Sequence, residues 1–276
     1  MFKHLISTTL FFTIISLFAN AQTQNQDHTK IDSLTFTETR AALNKLSTAI
    51  FEKRSFKKNE KTLPYRLLLP KNYNKNQKYP LVITFHNSTR IGSDNEKQLE
   101  PLARIWIREE IYDQYNCFVI APQFADRSSN YVKNEDGVLV SKPSDNVPLV
   151  LDLLAQIEAE YENVDQSKIY LVGYSMGAST AQNLMIMAPQ KFAAMVAVAS
   201  VPDFSHLKVF KRKPILLIHG QKDDENPYNG SAALYAKLKG NKNLTFKTYT
   251  ELDHGTINIP LLLSDAIPSW LFKFSK

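Results

Sequence analysis

The sequence predicts an α/β protein whose doubly wound, mostly parallel sheet has eight strands and carries helices on both faces. Short apolar runs alternate with segments of helical periodicity along most of the 276 residues. Several of these runs are apolar almost throughout, which is typical of parallel strands buried on both faces. The short stretch 200–213, between the sixth and seventh strands, leaves no room for a large cap domain.

The predicted elements follow one another along the chain in a regular order. The strand candidates are residues 51–57, 63–69, 81–86, 117–121, 168–174, 194–199, 214–219 and 245–250. Helical patterns lie at 36–50, 96–111, 147–162, 176–187, 230–239 and in a C-terminal stretch that ends near Phe274. Residues 22–33 are polar, and we expect them to be disordered. No G-x-G-x-x-G motif follows a strand candidate, which argues against a dinucleotide-binding fold.

Residues 1–21 have the pattern of a secretory signal peptide. Lys3 and His4 precede an apolar run, and a small-x-small cleavage site follows at 19–21. An uncleaved membrane anchor is the alternative, but the run is shorter than the roughly 20 residues that span a bilayer. We therefore expect an exported protein, periplasmic or secreted, that has no membrane association once the signal is removed.

The mature chain is expected to have a polar segment and helix over 22–50 and one α/β domain over 51–276. Cys117 is the single cysteine and lies in a strand-like run, so we predict a buried core residue and no internal disulfide. The net charge is +6, from 33 Lys and Arg against 27 Asp and Glu. A polyanion-binding patch over 53–78 is one interpretation. A solvated surface is favoured because no nucleic-acid motif or aromatic platform accompanies it, so no nucleic-acid partner is predicted.

The most informative stretch reads Ile-Tyr-Leu-Val-Gly-Tyr-Ser-Met-Gly over 169–177. An apolar run, the pattern G-x-S-x-G and then a helical pattern form the strand–turn–helix context of a nucleophile elbow. Such a turn holds Ser175 at its apex, and Gly173 and Gly177 leave room for the backbone to fold closely. Ser175 is therefore the candidate nucleophile, and the backbone N–H of Met176 is a candidate oxyanion donor. An ordinary turn serine is the alternative, because short Gly/Ser patterns also occur by chance.

A serine nucleophile needs a base that takes its proton and an acid that orients the base. Asp223 follows the strand candidate at 214–219, where side chains face the crevice at the carboxyl ends of the strands. His254 lies beyond the last strand candidate, in a loop beside Gly255. The chain thus has the order Ser, Asp, His, with Asp223 as the candidate acid and His254 as the candidate base.

Other acidic residues and histidines compete for these roles. Asp224 is adjacent to Asp223, and Asp203 follows the preceding strand, so both are alternative acids. His86, His219 and His206 are interpreted as structural loop residues. No H-x-x-x-H pair or carboxylate cluster accompanies the histidines, so no metal ion and no cofactor is predicted.

The second oxyanion donor is expected in the loop after the third strand candidate, from the backbone N–H of Ser88 or Thr89. A plain polar turn is the alternative interpretation of this loop.

From about residue 60 to the C-terminus, the motifs resemble one branch of the α/β-hydrolases. It is the esterase branch that includes feruloyl and acetyl-xylan esterases and polyhydroxybutyrate-depolymerase-like proteins. The matching segments are 63–67, 69–70, 79–83, 92–95, 118–123, 165–177 and 219–227. The resemblance implies an α/β-hydrolase fold and the serine hydrolase roles given above.

The chain departs from the family pattern in the oxyanion loop and after the elbow. The family usually has His-Gly-x-Gly where this chain has His86-Asn87-Ser88-Thr89. Asn tolerates positive φ better than most residues, so Asn87 is expected to replace a glycine. Thr89 is expected to reshape the pocket, and Ala178 stands where a second glycine is common.

We therefore expect a secreted serine esterase that hydrolyses carboxylic esters through an acyl-enzyme. Acyl or feruloyl esters of polysaccharide are the candidate substrates. The alternatives are a serine peptidase of the same fold and a non-catalytic binding protein on a hydrolase scaffold.

Overall fold

The computed structural model describes residues 22–276, so the predicted signal peptide over 1–21 lies outside the described residues. In chain order the strands are β1 Thr23–Asp27, β2 Glu52–Lys58, β3 Lys61–Leu68, β4 Tyr79–Phe85, β5 Phe118–Pro122, β6 Ser129–Lys133, β7 Leu139–Pro143, β8 Val164–Tyr174, β9 Ala194–Val198, β10 Ile215–Gly220 and β11 Leu244–Tyr249. The helices are α1 Ser33–Asn44, α2 Glu109–Gln114, α3 Leu149–Glu160, α4 Met176–Met187, α5 Leu207–Phe210, α6 Tyr228–Lys237, α7 Ile259–Leu262 and α8 Ala266–Leu271.

The central sheet has nine strands in the order β1-β11-β10-β9-β8-β4-β5-β3-β2. The pairings of β2 with β3 and of β3 with β5 are antiparallel. All other neighbours in this sheet are parallel. The eight predicted strands correspond to β2–β5 and β8–β11, so the predicted fold class is confirmed, and among residues 22–276 no large cap covers the sheet.

The sheet separates two hydrophobic cores, as the alternation of side chains along a strand requires. In β4, Leu81 and Ile83 pack in the core that includes residues of α3 and α4. Val82 packs in the opposite core, with residues of α2, α7 and α8. These three side chains are completely buried, which explains why the run is apolar on both faces. The helices therefore lie on both faces of the sheet, as predicted.

The N-terminal segment differs from the expectation of disorder over 22–33. Residues 23–27 form β1, which pairs in parallel with β11 from Thr23 opposite Thr245 to Asp27 opposite Tyr249. The prediction failed here because the edge of β11 supplies backbone partners to a polar segment, and polarity alone does not reveal that pairing. Asp32 then caps α1, since its side chain accepts a hydrogen bond of 2.7 Å from the backbone N–H of Thr35.

The predicted helix over 96–111 was wrong as a continuous element. The structure has short 3₁₀ turns at Lys97–Leu99 and Arg104–Ile107, and α2 begins only at Glu109. Pro101 lies between the two turns. Proline has no N–H to donate and disfavours a helical conformation in the residue before it, so the apolar periodicity did not produce one helix.

The antiparallel hairpin formed by β6 and β7 was not predicted. It packs on α4 through polar contacts, with Ser128 Oγ 2.7 Å from Thr180 Oγ1 and Ser129 Oγ donating to Asn183 Oδ1 at 2.9 Å. The side of the hairpin that faces α4 therefore carries polar residues. For this reason the two short strands lack the alternation of apolar and polar residues that predicts a strand. No helix among residues 22–276 combines the length and the apolar character needed to cross a bilayer.

Candidate active site

Ser175 is the single residue between the end of β8 and the start of α4. Its φ of 57° and ψ of −123° lie in a region that non-glycine residues rarely adopt, at a cost of roughly 1–3 kcal/mol. A Cβ on Gly173 would lie 2.2 Å from the carbonyl oxygen of Gly177. A Cβ on Gly177 would lie 2.2 Å from the carbonyl oxygen of Phe85. Both glycines are therefore required for the strand and helix to approach closely around Ser175.

A continuous hydrogen-bond chain links Ser175, His254 and Asp223. The Oγ of Ser175 lies 2.9 Å from Nε2 of His254, and Nδ1 of His254 lies 2.7 Å from Oδ2 of Asp223. A carboxylate can only accept, so the Nδ1–H of His254 donates to Asp223 and Nε2 is free to accept the serine proton. All three residues are buried. This arrangement has the chemical capacity to activate a hydroxyl as a nucleophile.

The carboxylate of Asp223 is held in its ionised form by hydrogen bonds. Burial alone would raise its pKa, but donors from His219 and His254 and the backbone N–H of Asn226 outweigh burial and lower the pKa to about 2. The Nε2 of His219 lies 3.2 Å from Oδ2 of Asp223. An ionised carboxylate beside His254 is what would stabilise an imidazolium during proton transfer.

The alternative acids have different surroundings. Asp203 is buried, and its Oδ2 accepts from the side-chain amide of Asn183 at 2.7 Å. Its Oδ1 accepts from the backbone N–H of Ser205 at 2.8 Å. Asp224 is exposed to solvent. Of the three candidate acids, the structure brings only Asp223 into hydrogen-bond contact with His254.

His219 contacts Asp223, as described above, whereas His86 and His206 make no contact with the hydrogen-bond chain of Ser175, His254 and Asp223. His86 is buried at the end of β4, where Nδ1 donates to the carbonyl of Asn87 at 2.8 Å and Nε2 accepts from the N–H of Phe124 at 3.1 Å. Burial lowers the pKa of His86 to about 4. His206 is an exposed residue before α5. Both have loop positions, in line with the structural interpretation of the sequence.

The predicted oxyanion donors begin two helical segments. Met176 is the first residue of α4, and Ser88 and Thr89 begin a 3₁₀ turn at Ser88–Arg90. Backbone N–H groups in a first turn have no partner within their own helix, so these three are available to an anion. Ser88, Thr89 and Ser175 line the same cavity, of about 230 Å³.

Asn87 differs from the expectation for a residue that replaces glycine. Its φ of −79° and ψ of 175° are ordinary extended values, so this loop does not use the tolerance of asparagine for positive φ. Instead, the side-chain Oδ1 of Asn87 accepts a hydrogen bond of 3.2 Å from Thr89 Oγ1. This contact lies within the loop, and a sequence motif does not reveal it.

Three residues that the sequence did not assign to the site support it. Tyr174 donates from its hydroxyl to the carbonyl of His254 at 2.7 Å, and its ring lies 5.1 Å from the imidazole ring. Asn226 donates from Nδ2 to the carbonyl of Ala199 at 2.7 Å and lies 3.4 Å from Ser175 Oγ. Arg40, from α1, lines the cavity with Ser175. Tyr174 and Asn226 adjoin the Ser and Asp motifs, which is the signal that could have identified them.

Comparison with known proteins supports the fold and the class. Residues 140–261 match the family model described as phospholipase/carboxylesterase, and this span includes Ser175, Asp223 and His254. A thermostable esterase of known structure is 28% identical with a TM-score of 0.73, and the match covers 82% of this chain and 63% of that one. The ferulic acid esterase of Anaeromyces mucronatus is 16% identical with a TM-score of 0.60, over 80% of this chain and 90% of that one.

A bifunctional acetylxylan esterase/xylanase from Neocallimastix patriciarum is 26% identical over 145 residues, 52% of this chain. The chain spans 19% of the length of that relative, and 63% of the thermostable esterase. The chain has the α/β-hydrolase fold and is similar to these esterases. The predicted resemblance to the esterase branch of that superfamily is confirmed.

Proposed function

We propose that the protein is an exported serine esterase that hydrolyses carboxylic esters through an acyl-enzyme. The observation that carries this proposal is the hydrogen-bond chain from Ser175 Oγ to His254 Nε2, at 2.9 Å, and from His254 Nδ1 to Asp223 Oδ2, at 2.7 Å. Nucleophile, base and acid are aligned in the order that serine hydrolysis requires. The phospholipase/carboxylesterase match over the same residues supports an ester as the substrate.

In the first half of the reaction, Ser175 Oγ attacks the ester carbonyl while His254 Nε2 takes the hydroxyl proton. Asp223 accepts from Nδ1–H throughout and stabilises the imidazolium, because its own pKa is lowered to about 2 and it stays ionised. The backbone N–H of Met176, with that of Ser88 or Thr89, donates to the tetrahedral oxyanion.

Collapse of the tetrahedral intermediate breaks the bond to the alcohol, which takes the proton from His254 Nε2 as it leaves. Water then enters the position of the alcohol and gives a proton to His254 as it attacks the acyl-enzyme. The second intermediate collapses to release the acid and returns the proton to Ser175. Each step needs only the three side chains and two backbone donors.

The substrate class is proposed from the relatives and from the predicted export. One relative is an acetylxylan esterase/xylanase, and another is a ferulic acid esterase. Acyl or feruloyl groups attached to a polysaccharide are therefore the proposed esters. Export would bring the enzyme to such polymers outside the cytoplasm, and residues 22–276 include no large cap over the sheet.

A serine-reactive fluorophosphonate probe tests the nucleophile. We expect the probe to label the wild-type protein and a Ser205→Ala control, because Ser205 is exposed and lies outside the hydrogen-bond chain. We expect no labelling of Ser175→Ala. Equal labelling of Ser175→Ala and wild type would overturn the proposed nucleophile. Absence of labelling in every protein would support a non-catalytic binding role.

A substrate panel then tests the ester assignment. Short acyl esters, feruloyl esters, acetylated xylan and peptide amides are compared by kcat/KM with purified protein. We expect hydrolysis of the esters and little hydrolysis of the peptide amides. Preferential cleavage of the peptides would replace the esterase proposal with the peptidase alternative.

A further inference from the structure

We propose that the active site selects esters that carry a carboxylate close to the scissile bond, and that Arg40 and Arg90 recognise this group. The inference rests on the proposed esterase function and names a substrate class for it. It starts from the cavity that Ser175 and His254 line, because Arg40 and Arg90 line the same cavity of about 230 Å³. An ester bound at Ser175 would therefore share this cavity with the side chains of two arginines.

The two arginines come from segments that are distant in sequence. Arg40 lies on α1, within the N-terminal segment, and Arg90 ends the 3₁₀ turn that contains the predicted oxyanion donors. Their side chains are partly buried, with exposed fractions of 36% and 28%. Charges in such a partly buried position act on a bound group more strongly than charges surrounded by water.

The carboxylate that faces these arginines is shared among three cations. Glu100 Oε2 lies 3.0 Å from Nη2 of Arg90 and 4.0 Å from Nη2 of Arg40. Glu100 Oε1 lies 3.5 Å from Nη2 of Arg104. Arginine stays protonated in proteins, so one negative charge stands against three positive charges.

Glu225 is the single carboxylate among the described residues that line this cavity. Its side chain is 70% exposed, and Oε2 lies 3.8 Å from Nε2 of His254. Solvent screens such an exposed charge more than it screens the half-buried arginines. The wall formed by Arg40 and Arg90 therefore keeps an excess of positive charge that a bound anion would balance.

A purely structural role explains Arg90 and Arg104 better than it explains Arg40. Arg90 and Arg104 are each within 3.5 Å of Glu100, whereas Arg40 is at the limit of an ion pair, at 4.0 Å. The guanidinium of Arg40 also lies 5.5 Å from the ring centre of Phe36, another residue that lines the cavity. Arg40 thus has donors to offer a ligand, and its planar fork matches the geometry of a carboxylate.

Two matched pairs of esters test the proposal and locate the charge. The first pair is para-acetoxybenzoate and para-acetoxybenzamide, which differ by a charge on the leaving alcohol. The second pair is mono-para-nitrophenyl glutarate and para-nitrophenyl pentanoate, which differ by a charge on the acyl group. We expect kcat/KM of wild type to favour the anionic member of at least one pair, and this preference to fall as salt is added.

Variants of the cavity wall should move this preference in opposite directions. We expect Arg40→Gln and Arg90→Gln each to lower the anionic-to-neutral ratio of kcat/KM by about fivefold. Glu100→Gln should raise the ratio, because it removes the competing carboxylate. The matched control is Arg212→Gln, since Arg212 is an exposed arginine outside the cavity, and it should leave the ratio unchanged.

A binding measurement keeps the test independent of turnover. We expect benzoate to slow fluorophosphonate labelling of Ser175 more than benzamide does, and we expect Arg40→Gln to remove that difference. The inference would be overturned if both Arg40→Gln and Arg90→Gln kept the wild-type anionic-to-neutral ratio of kcat/KM and the wild-type protection of Ser175 by benzoate. The proposed esterase function would stand in that case, provided that neutral esters were still hydrolysed. Loss of labelling and of neutral ester hydrolysis in the wild type would instead overturn the proposed function.

Discussion

His219 Nε2 lies 3.2 Å from Oδ2 of Asp223, the carboxylate oxygen that His254 Nδ1 also approaches. The same Nε2 is 2.8 Å from the carbonyl of Asn226, and Nδ1 is 2.7 Å from Ser231 Oγ. Both neighbours of Nε2 are acceptors, so Nε2 carries the proton and Nδ1 accepts from the Ser231 hydroxyl. The Nε2–H of His219 is therefore shared between the closer carbonyl of Asn226 and the carboxylate of the proposed catalytic acid.

This relationship predicts a graded effect of substitutions at His219. His219→Leu removes this shared donor, and a complete hydrogen bond to an ionised group typically contributes about 1.5–3 kcal/mol. We expect kcat to fall with little change in KM, because the loss acts through the orientation of Asp223. His219→Gln keeps a side-chain donor and should retain more activity than His219→Leu. A folded His219→Leu protein with wild-type kcat would show that this donor does not position the acid.

Replacement of the proposed nucleophile should separate activity from stability. We expect Ser175→Ala to lower kcat for ester hydrolysis by on the order of 10⁴–10⁶. Alanine is as disfavoured as serine at a φ of 57°, so the thermal midpoint should change little. Near wild-type turnover in the purified variant would contradict the role of Ser175.

The three candidate acids should give different phenotypes when each is replaced by asparagine. We expect Asp223→Asn to lower kcat by about 10⁴, because an amide favours the wrong histidine tautomer and cannot stabilise the imidazolium. Asp203→Asn should mainly lower stability, since buried Asp203 accepts from Asn183 and Ser205. Asp224→Asn should be almost neutral because Asp224 is exposed. Measurements of kcat and of urea midpoints distinguish these cases, and an inactive but stable Asp203→Asn would move the acid to that position.

The sequence was informative where the determinants of structure are local. Gly173 and Gly177 flank Ser175 at a fixed spacing, and the structure shows that both positions exclude a side chain. The parallel strands could also be predicted from the sequence, because burial on both faces requires nearly continuous apolar runs. These features depend on residues that are close together in the sequence, so a local sequence pattern is sufficient to predict them.

Features that depend on distant contacts could not be predicted in this way. The pairing of β1 with β11 joins residues that are more than 200 positions apart, as the partners Thr23 and Thr245 show. The position of Arg40 in the cavity depends on how α1 packs, and nothing in its own segment indicates a site. The contact between His219 and Asp223 was missed because a histidine at a strand end has many ordinary uses.

The oxyanion loop predicts a change in acyl specificity. Thr89 is exposed and lines the cavity, in a position where the resembled family usually has glycine. We expect Thr89→Gly to broaden acceptance of larger acyl groups because it removes a side chain beside the reacting carbonyl. The loop also gains freedom in the unfolded state, so stability should fall by about 0.5–1 kcal/mol. The check compares kcat/KM for acetyl, butyryl and feruloyl esters, and an unchanged ratio would show that Thr89 does not limit the acyl group.

Buried His86 predicts a loss of stability in mild acid. Its pKa is lowered by burial from 6.5 to about 4, so between these values the unfolded chain binds a proton that the folded protein excludes. The resulting loss of folding stability is absent above the unfolded pKa and grows as pH falls through this window. It reaches about 3 kcal/mol near pH 4. His86→Gln does not titrate there and can still offer a donor to Asn87 and an acceptor to Phe124. We therefore expect the urea-derived free energy of unfolding to fall between pH 7 and pH 4.5 by about 2 kcal/mol more in the wild type than in this variant. Parallel pH profiles for the two proteins would show that His86 already binds a proton in the folded state.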